Sequence, residues 1–125
     1  QSSLKSASSR YEFIRLLTTD HIEKSILLAK IAQKHAAQIL KLPPSLDDLS
    51  YLKVLCLKNE TGIYHRNLVL TRLVHSPIMY CEPLCQDNYL QAPILASNPE
   101  SIIEKVSTVY VQSVCDWVKA CRGNH

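Results

Sequence analysis

The sequence predicts a single all-α domain of 125 residues, arranged as a four-helix bundle. Glycine occurs only twice, which argues against a β-rich fold with many tight turns, and the abundant Leu, Ile, Ala, Lys and Gln favour helices. Long amphipathic stretches lie at residues 9–41 and 99–121, with a proline-containing region between them. A chain of this length buries enough apolar surface to form one core.

The first helix is predicted over residues 9–41. Residues 1–8 are polar and Ser-rich and are expected to be disordered. Capping boxes begin at Ser9 and at Asp20, so the helix can bend or restart at the second one. Two consecutive prolines, starting at Pro43, end the helix because proline lacks a backbone N–H and restricts the residue before it.

Apolar residues cover most of this helix from Ile22 onward at helical spacing. A narrow stripe on the opposite side is polar. Such a stripe is most often solvated surface, but in a secreted helical ligand it would be a recognition surface, which makes its residues candidate receptor contacts. These candidates are Lys30, Lys34, Gln38 and Lys41.

The middle of the chain is predicted to contain shorter elements. Residues 51–57 fit either a short helix or an extended strand, because their apolar residues match both periods. A helix is predicted over residues 63–75. Residues 76–97 contain three prolines and form a long connection, with room for a short helical turn near residues 84–90.

The last helix is predicted over residues 99–121. Asn98 is placed to cap it, Pro99 suits its first position, and Gly123 suits its end. The side predicted to face the core carries Ile102, Ile103, Val106, Val109, Tyr110, Val114, Trp117 and Cys121. The candidate receptor contacts on the polar side are Lys105, Gln112, Asp116 and Lys119.

Five cysteines predict disulfide bonds that staple the long connection to the helices, and they are Cys56, Cys81, Cys85, Cys115 and Cys121. Cys115 and Cys121 lie about 120° apart on one helix, so each is expected to pair with the 76–97 connection or with Cys56. The pairing of the cysteines stays open. Because their number is odd, one thiol is left over, and it is either inert or joins two copies of the chain through a disulfide or a non-covalent contact. With a glycosylation sequon at Asn59, these cysteines point to a secreted glycoprotein.

Several functions are poorly supported by the sequence. The net charge of +3 is spread over the chain without the dense basic stripe of a nucleic-acid binder, and no apolar run is long enough for a membrane span. A zinc site from Cys81, Cys85, Cys115 and His75 is conceivable, but the spacing favours disulfides. No catalytic constellation and no cofactor motif is present, so we predict neither an enzyme nor a cofactor.

The chain resembles a short-chain helical cytokine. The resemblance is carried by the helix at 20–42, the prolines after it, the stretch at 52–56, the cysteine-bearing 76–97 connection and the helix at 99–121. It implies a secreted signalling ligand that binds cell-surface receptor ectodomains through its first and last helices. It also implies an up-up-down-down bundle, whereas a helix at 45–58 would give an up-down-up-down bundle instead.

Two other functions are compatible with the same residues. One is a secreted helical carrier that encloses a lipid or another small apolar ligand. Such a carrier should contain a cavity of several hundred Å³, whereas a signalling ligand should be packed solid. The other is an intracellular helical module that binds proteins and keeps its thiols free.

Overall fold

The computed structural model describes residues 10–13, 19–41, 56–57, 60–65, 73–82 and 91–123. Most of these residues are helical, which confirms the predicted helical class. The helices are α1 (Thr19–Ile39), α2 (Ala92–Ser97) and α3 (Pro99–Gly123). Short strands accompany them: β1 (Arg10–Phe13), β2 (Cys56–Leu57), β3 (Glu60–His65) and β4 (Tyr80–Glu82).

The first long helix is shorter than the predicted 9–41. Helix α1 begins at Thr19, beside the second capping box, and residues 10–13 form β1 instead. Aromatic residues at 11 and 13 suit a strand, and β1 gains backbone partners on both of its edges. At the other end, Lys41 adopts a left-handed φ of 54°, which stops the helix ahead of the two prolines.

The strands form a small sheet in the order β2-β3-β1-β4. Strand β1 runs parallel to β3 and antiparallel to β4, while β2 and β3 are antiparallel. The prediction of a helix over residues 63–75 is wrong for residues 63–65, because these residues belong to strand β3. Gly62 has a left-handed φ of 83°, which a helix does not accommodate, and Ile63 is fully buried. For residues 51–57 the sequence allowed a helix or a strand. The last two of these residues form strand β2, so the strand alternative is correct for them.

The core lies between α1, α3 and the sheet. Helix α1 contributes a stripe of small, fully buried residues, and its members are Ser25, Ala29, Ala32 and Ala36. Ala32 and Ala36 cluster with Val109 of α3, whereas Ala29 packs with Ile63 of β3. Small side chains let neighbouring elements approach closely, so this stripe sets the spacing of the core.

Two hydrogen bonds hold elements against α1. The Trp117 indole N–H donates to the Lys24 carbonyl oxygen at 2.9 Å, which ties α3 to the first part of α1. The backbone N–H of Ile78 donates to Ser25 Oγ at 2.9 Å, which fixes the segment that enters β4. Both bonds join residues far apart in sequence.

The last helix matches its prediction closely. Asn98 caps it, since Asn98 Oδ1 accepts a hydrogen bond from the Ser101 N–H at 3.3 Å, and the helix extends from Pro99 to Gly123. Helix α2 is not predicted by the sequence, and it occupies the end of the supposed irregular connection. Pro93 near its start is compatible with a helix because the first N–H groups have no intrahelical acceptor.

The disulfide prediction is wrong for the cysteines whose side chains the structure describes. Cys81, Cys115 and Cys121 are all free thiols, and no two of them approach bonding distance. Cys81 lies on β4, whereas Cys115 and Cys121 lie on α3, about 120° apart around its axis, so those two do not face each other. The described residues thus show no disulfide staple; the helices and sheet are held by packing and hydrogen bonds.

Several predictions fall on residues that the structure does not describe. These are the disorder of 1–8, the sequon at Asn59, Cys85, the helical turn near 84–90 and residues 66–72 of the predicted 63–75 helix. The side chain of Cys56 lies outside the description as well. Besides α1, α2 and α3, the described ranges contain one helical residue at Leu73, inside the helix predicted over 63–75, and they do not show a four-helix bundle.

Candidate binding surfaces on the two long helices

Helix α1 carries an exposed basic face. All four of the receptor-contact residues predicted on this helix are exposed, namely Lys30, Lys34, Gln38 and Lys41. Residues 24–41 contain four lysines and neither Asp nor Glu, so the whole segment is positively charged. We call these four residues the α1 basic face. Its chemistry suits an acidic partner surface.

Helix α3 carries an exposed polar face of mixed charge. The four residues predicted there are exposed too, namely Lys105, Gln112, Asp116 and Lys119. We call them the α3 polar face. Because they recur at spacings of seven, four and three residues, they follow one side of the helix.

A contact between His35 and Asp116 joins the two faces. His35 Nε2 lies 2.7 Å from Asp116 Oδ2, with the histidine side chain 16% exposed and the carboxylate 49% exposed. His35 follows Lys34 directly, and Asp116 belongs to the α3 polar face. The contact therefore places the α3 polar face at the edge of α1, and the residues of the α1 basic face lie about 60–140° further around that helix.

The buried side of α3 differs from its prediction. Val109 and Ser113 are the fully buried residues of this helix, and Ser113 was not foreseen as a core residue. Its hydroxyl donates to the Val109 carbonyl oxygen, so the buried polar group is satisfied within the helix. Ile103, Tyr110 and Val114 were predicted to face the core and instead remain exposed.

These exposed residues define a second surface, the α3 apolar face. Its members and their exposed fractions are Ile103 at 64%, Tyr110 at 37%, Val111 at 64% and Val114 at 50%. Val114 and Asp116 are two positions apart, which puts them about 160° apart around the helix axis. The α3 apolar face and the α3 polar face consequently lie on opposite flanks.

An apolar groove borders the α3 apolar face. It has a volume of about 380 Å³ and lies between α1, α3 and the strand β4. The lining residues are Leu28, Met79, Tyr80, Cys81, Tyr110 and Val114. The volume falls in the range of small-molecule sites, and the lining is mostly apolar with two phenol groups and one thiol.

Two polar groups of the groove, the Cys81 thiol and the Tyr110 phenol, have raised pKa values. Burial raises the pKa of the Cys81 thiol from its usual 9.0 to about 12, and the hydrogen bond with Tyr110 offsets only part of that increase. Burial also raises the pKa of Tyr110 to about 12, with further contributions from the Cys81 charge and the Cys81 hydrogen bond. A protonated thiol is a poor nucleophile, so Cys81 is suited to packing rather than to catalysis at neutral pH.

Neither a metal centre nor a membrane helix emerges from the described ranges. Within them, no group of three His, Cys, Asp or Glu side chains is placed to hold a metal ion, and no helix combines the length and apolarity that crossing a bilayer requires. Cys85, a ligand of the zinc site considered above, is outside these ranges. No protein-family model and no curated protein matches the sequence.

Proposed function

We propose that the protein is a secreted, cytokine-like signalling ligand that binds a cell-surface receptor ectodomain through α1 and α3. The observation that carries this proposal is the α1 basic face, which is exposed and contains no acidic residue. The α3 polar face lies beside it, connected through His35 and Asp116. A receptor surface rich in Asp and Glu would complement this combined area.

The arrangement of the long helices supports the same proposal. Helices α1 and α3 pack against each other through Ala32, Ala36 and Val109, as the first and last helices of a four-helix bundle would. A four-helix arrangement is part of the proposal. The secreted location is also part of it and rests on the resemblance to helical cytokines rather than on disulfides.

Cell-surface binding tests the proposal directly. We expect fluorescently labelled protein to bind cells of the source organism saturably and to be displaced by unlabelled protein. Reversing two charges of the α1 basic face, Lys34→Glu with Lys41→Glu, should weaken binding by about tenfold or more, because each introduced carboxylate would then repel an acidic receptor surface. Added salt should weaken binding of the unchanged protein as well.

The matched control keeps the charges and changes only the side chains. Lys34→Arg with Lys41→Arg should leave binding nearly unchanged, while circular dichroism should show that all variants remain folded. Saturable binding that is equally strong in the charge-reversed variant would contradict the assigned surface. No saturable binding to any cell type would contradict the function.

A carrier of small apolar molecules is the second candidate, and the groove favours it. The volume of about 380 Å³ is large enough for a small apolar ligand, and the lining is mostly apolar. Organic extraction of the purified protein followed by mass spectrometry should release a bound lipid if this function is correct. Leu28→Trp, which fills the groove, should abolish that release, whereas Leu73→Trp at an exposed position should not. An extract without any ligand would exclude this candidate.

A further inference from the structure

The groove between α1, α3 and β4 has an uncharged lining. In the described part of the chain, its lining residues are Leu28, Met79, Tyr80, Cys81, Tyr110 and Val114. They supply aliphatic, thioether, thiol and phenol groups, and none of them is an acidic or basic residue. The volume of about 380 Å³ lies at the lower end of the range for small-molecule sites. A small molecule that enters this space therefore meets mostly apolar atoms and no opposite charge from the lining.

The ionisable groups of the lining show how the groove treats charge. Burial is the largest cause of the raised pKa of the Cys81 thiol, and likewise of the Tyr110 phenol. Removing an anion from water costs free energy when no cation compensates for the lost hydration. A ligand carboxylate beside these groups would incur the same cost, and an ammonium group would lose its hydration without a carboxylate to pair with. The groove therefore favours neutral molecules.

Two phenol groups give the groove a small capacity for hydrogen bonds. Tyr80 is 40% exposed and Tyr110 is 37% exposed, so both residues are accessible from solvent. A phenol oxygen accepts hydrogen bonds as well as donating one, so Tyr110 retains a free lone pair in addition to its hydrogen bond with Cys81. A ligand with an apolar body and one neutral polar group would use both properties of the lining.

We propose that the groove binds small uncharged molecules that combine an apolar body with one hydroxyl group, such as a medium-chain alcohol, and that it discriminates against the carboxylate of equal chain length. The inference rests on the carrier candidate for its biological role, whereas the binding itself is a property of the groove. It narrows that candidate from apolar molecules in general to one chemical class.

Competition with the neutral fluorescent dye Nile red tests the proposal on the full chain. We expect the protein to bind Nile red and to release it to octanol at a concentration about tenfold lower than to octanoate at neutral pH, because the carboxylate must be desolvated without a partner. Leu28→Trp should abolish dye binding because it fills the groove. Leu73→Trp at an exposed position should leave dye binding unchanged.

A charge added to the lining tests the location. Val114→Lys places an ammonium group at the groove, where the side chain is 50% exposed, so the preference for octanol over octanoate should fall by about tenfold or reverse. Val111→Lys is the matched control, since it adds the same group to the same helix at an exposed position outside the lining. This control should keep the preference of the unchanged protein. Circular dichroism of every variant controls for folding.

Three outcomes would overturn the proposal. The first is that Nile red does not bind, and the second is that octanoate competes as well as octanol in the unchanged protein. The third is that the two lysine variants show the same preference. Lys34→Glu with Lys41→Glu should bind octanol normally, so failure of the receptor proposal is distinguishable. An organic extract without ligand, together with octanol binding, would remove the carrier role and leave the site in place.

Discussion

The pairing of Cys81 with Tyr110 shows how one contact determines chemistry at the scale of single residues. Both groups lie at the boundary between β4 and α3, and burial raises the pKa of each to about 12. Each group is thereby kept protonated in the folded protein well above the pH at which it ionises in an unfolded chain. Burial, rather than the hydrogen bond with Tyr110, disfavours the ionised form of Cys81.

Stability should therefore fall in mildly alkaline solution. The unfolded chain loses the Cys81 proton above its usual pKa of 9.0, whereas the folded protein retains it to about 12, so the stabilisation is complete below 9.0 and is lost between these values. From about pH 8 to about pH 10, we expect Cys81 to lower the free energy of unfolding by about 1 kcal/mol. Urea denaturation in a reducing buffer measures this change.

The variant Cys81→Ala separates this effect from the titration of other groups. It should be less stable at neutral pH because a buried group is lost, but its free energy of unfolding should depend less steeply on pH than that of the unchanged protein. Equal slopes for the two proteins would show that Cys81 does not remain protonated as the fold implies.

Sequence reasoning succeeded best for single residues that act locally. The capping role of Asn98 was foreseen because capping needs only neighbours within one turn. The burial of Ser113 was not foreseen. A buried hydroxyl needs a hydrogen-bond acceptor, here the Val109 carbonyl oxygen, and the element that covers Ser113 cannot be read from the helix alone. The pairing of Cys81 with Tyr110 was missed for the same reason: it joins residues far apart in the chain.

At the scale of elements, the small residues of α1 determine how α3 packs. Ala32 and Ala36 are fully buried against Val109, so no space exists there for a longer side chain. The pattern was visible in the sequence as alanines at helical spacing. Which helix covers them was not visible, because periodicity describes a face and not its partner.

Overpacking this contact should destabilise the fold. Ala32→Leu is expected to cost about 1–3 kcal/mol, since the larger side chain pushes α1 and α3 apart. Ala37→Leu is the matched control: Ala37 is exposed on the same helix, so its replacement should stay within about 0.5 kcal/mol of the unchanged protein. Chemical denaturation followed by circular dichroism compares the two variants. Equal stability of both would contradict the close approach of the helices.

The strands were the elements that sequence reasoning handled least well. Residues 10–13 and 63–65 were assigned to helices because the longer stretches that contain them have apolar residues at helical intervals. Their extended conformation depends on pairing between segments about 50 residues apart, as in the register of Tyr11 with Ile63. Such pairing has no local signal beyond aromatic and β-branched residues and the left-handed Gly62.

At the scale of the whole molecule, composition predicted the helical class and failed to predict how the molecule is held together. Five cysteines in a small chain are typical of disulfide scaffolds, yet the three whose side chains are described are free thiols. The number of cysteines limits how many disulfide bonds are possible, but it says nothing about the distances between the thiols. The described core relies instead on alanine packing and on hydrogen bonds from Trp117 and Ile78.

Two exposed surfaces lie on different sides of α3. Asp116 of the α3 polar face contacts His35 of α1, while the α3 apolar face lies on the other flank of α3. Substitutions on one of these surfaces should therefore leave the other unchanged.

The position of the chain's single tryptophan has a practical consequence. Trp117 belongs to α3, but its indole N–H donates to a carbonyl of α1, so the ring reports on the junction between α1 and α3. Its emission is a built-in optical probe of whether those two helices remain joined. A red shift that precedes the loss of the far-ultraviolet helical signal would mark a state in which the helices persist but have already separated.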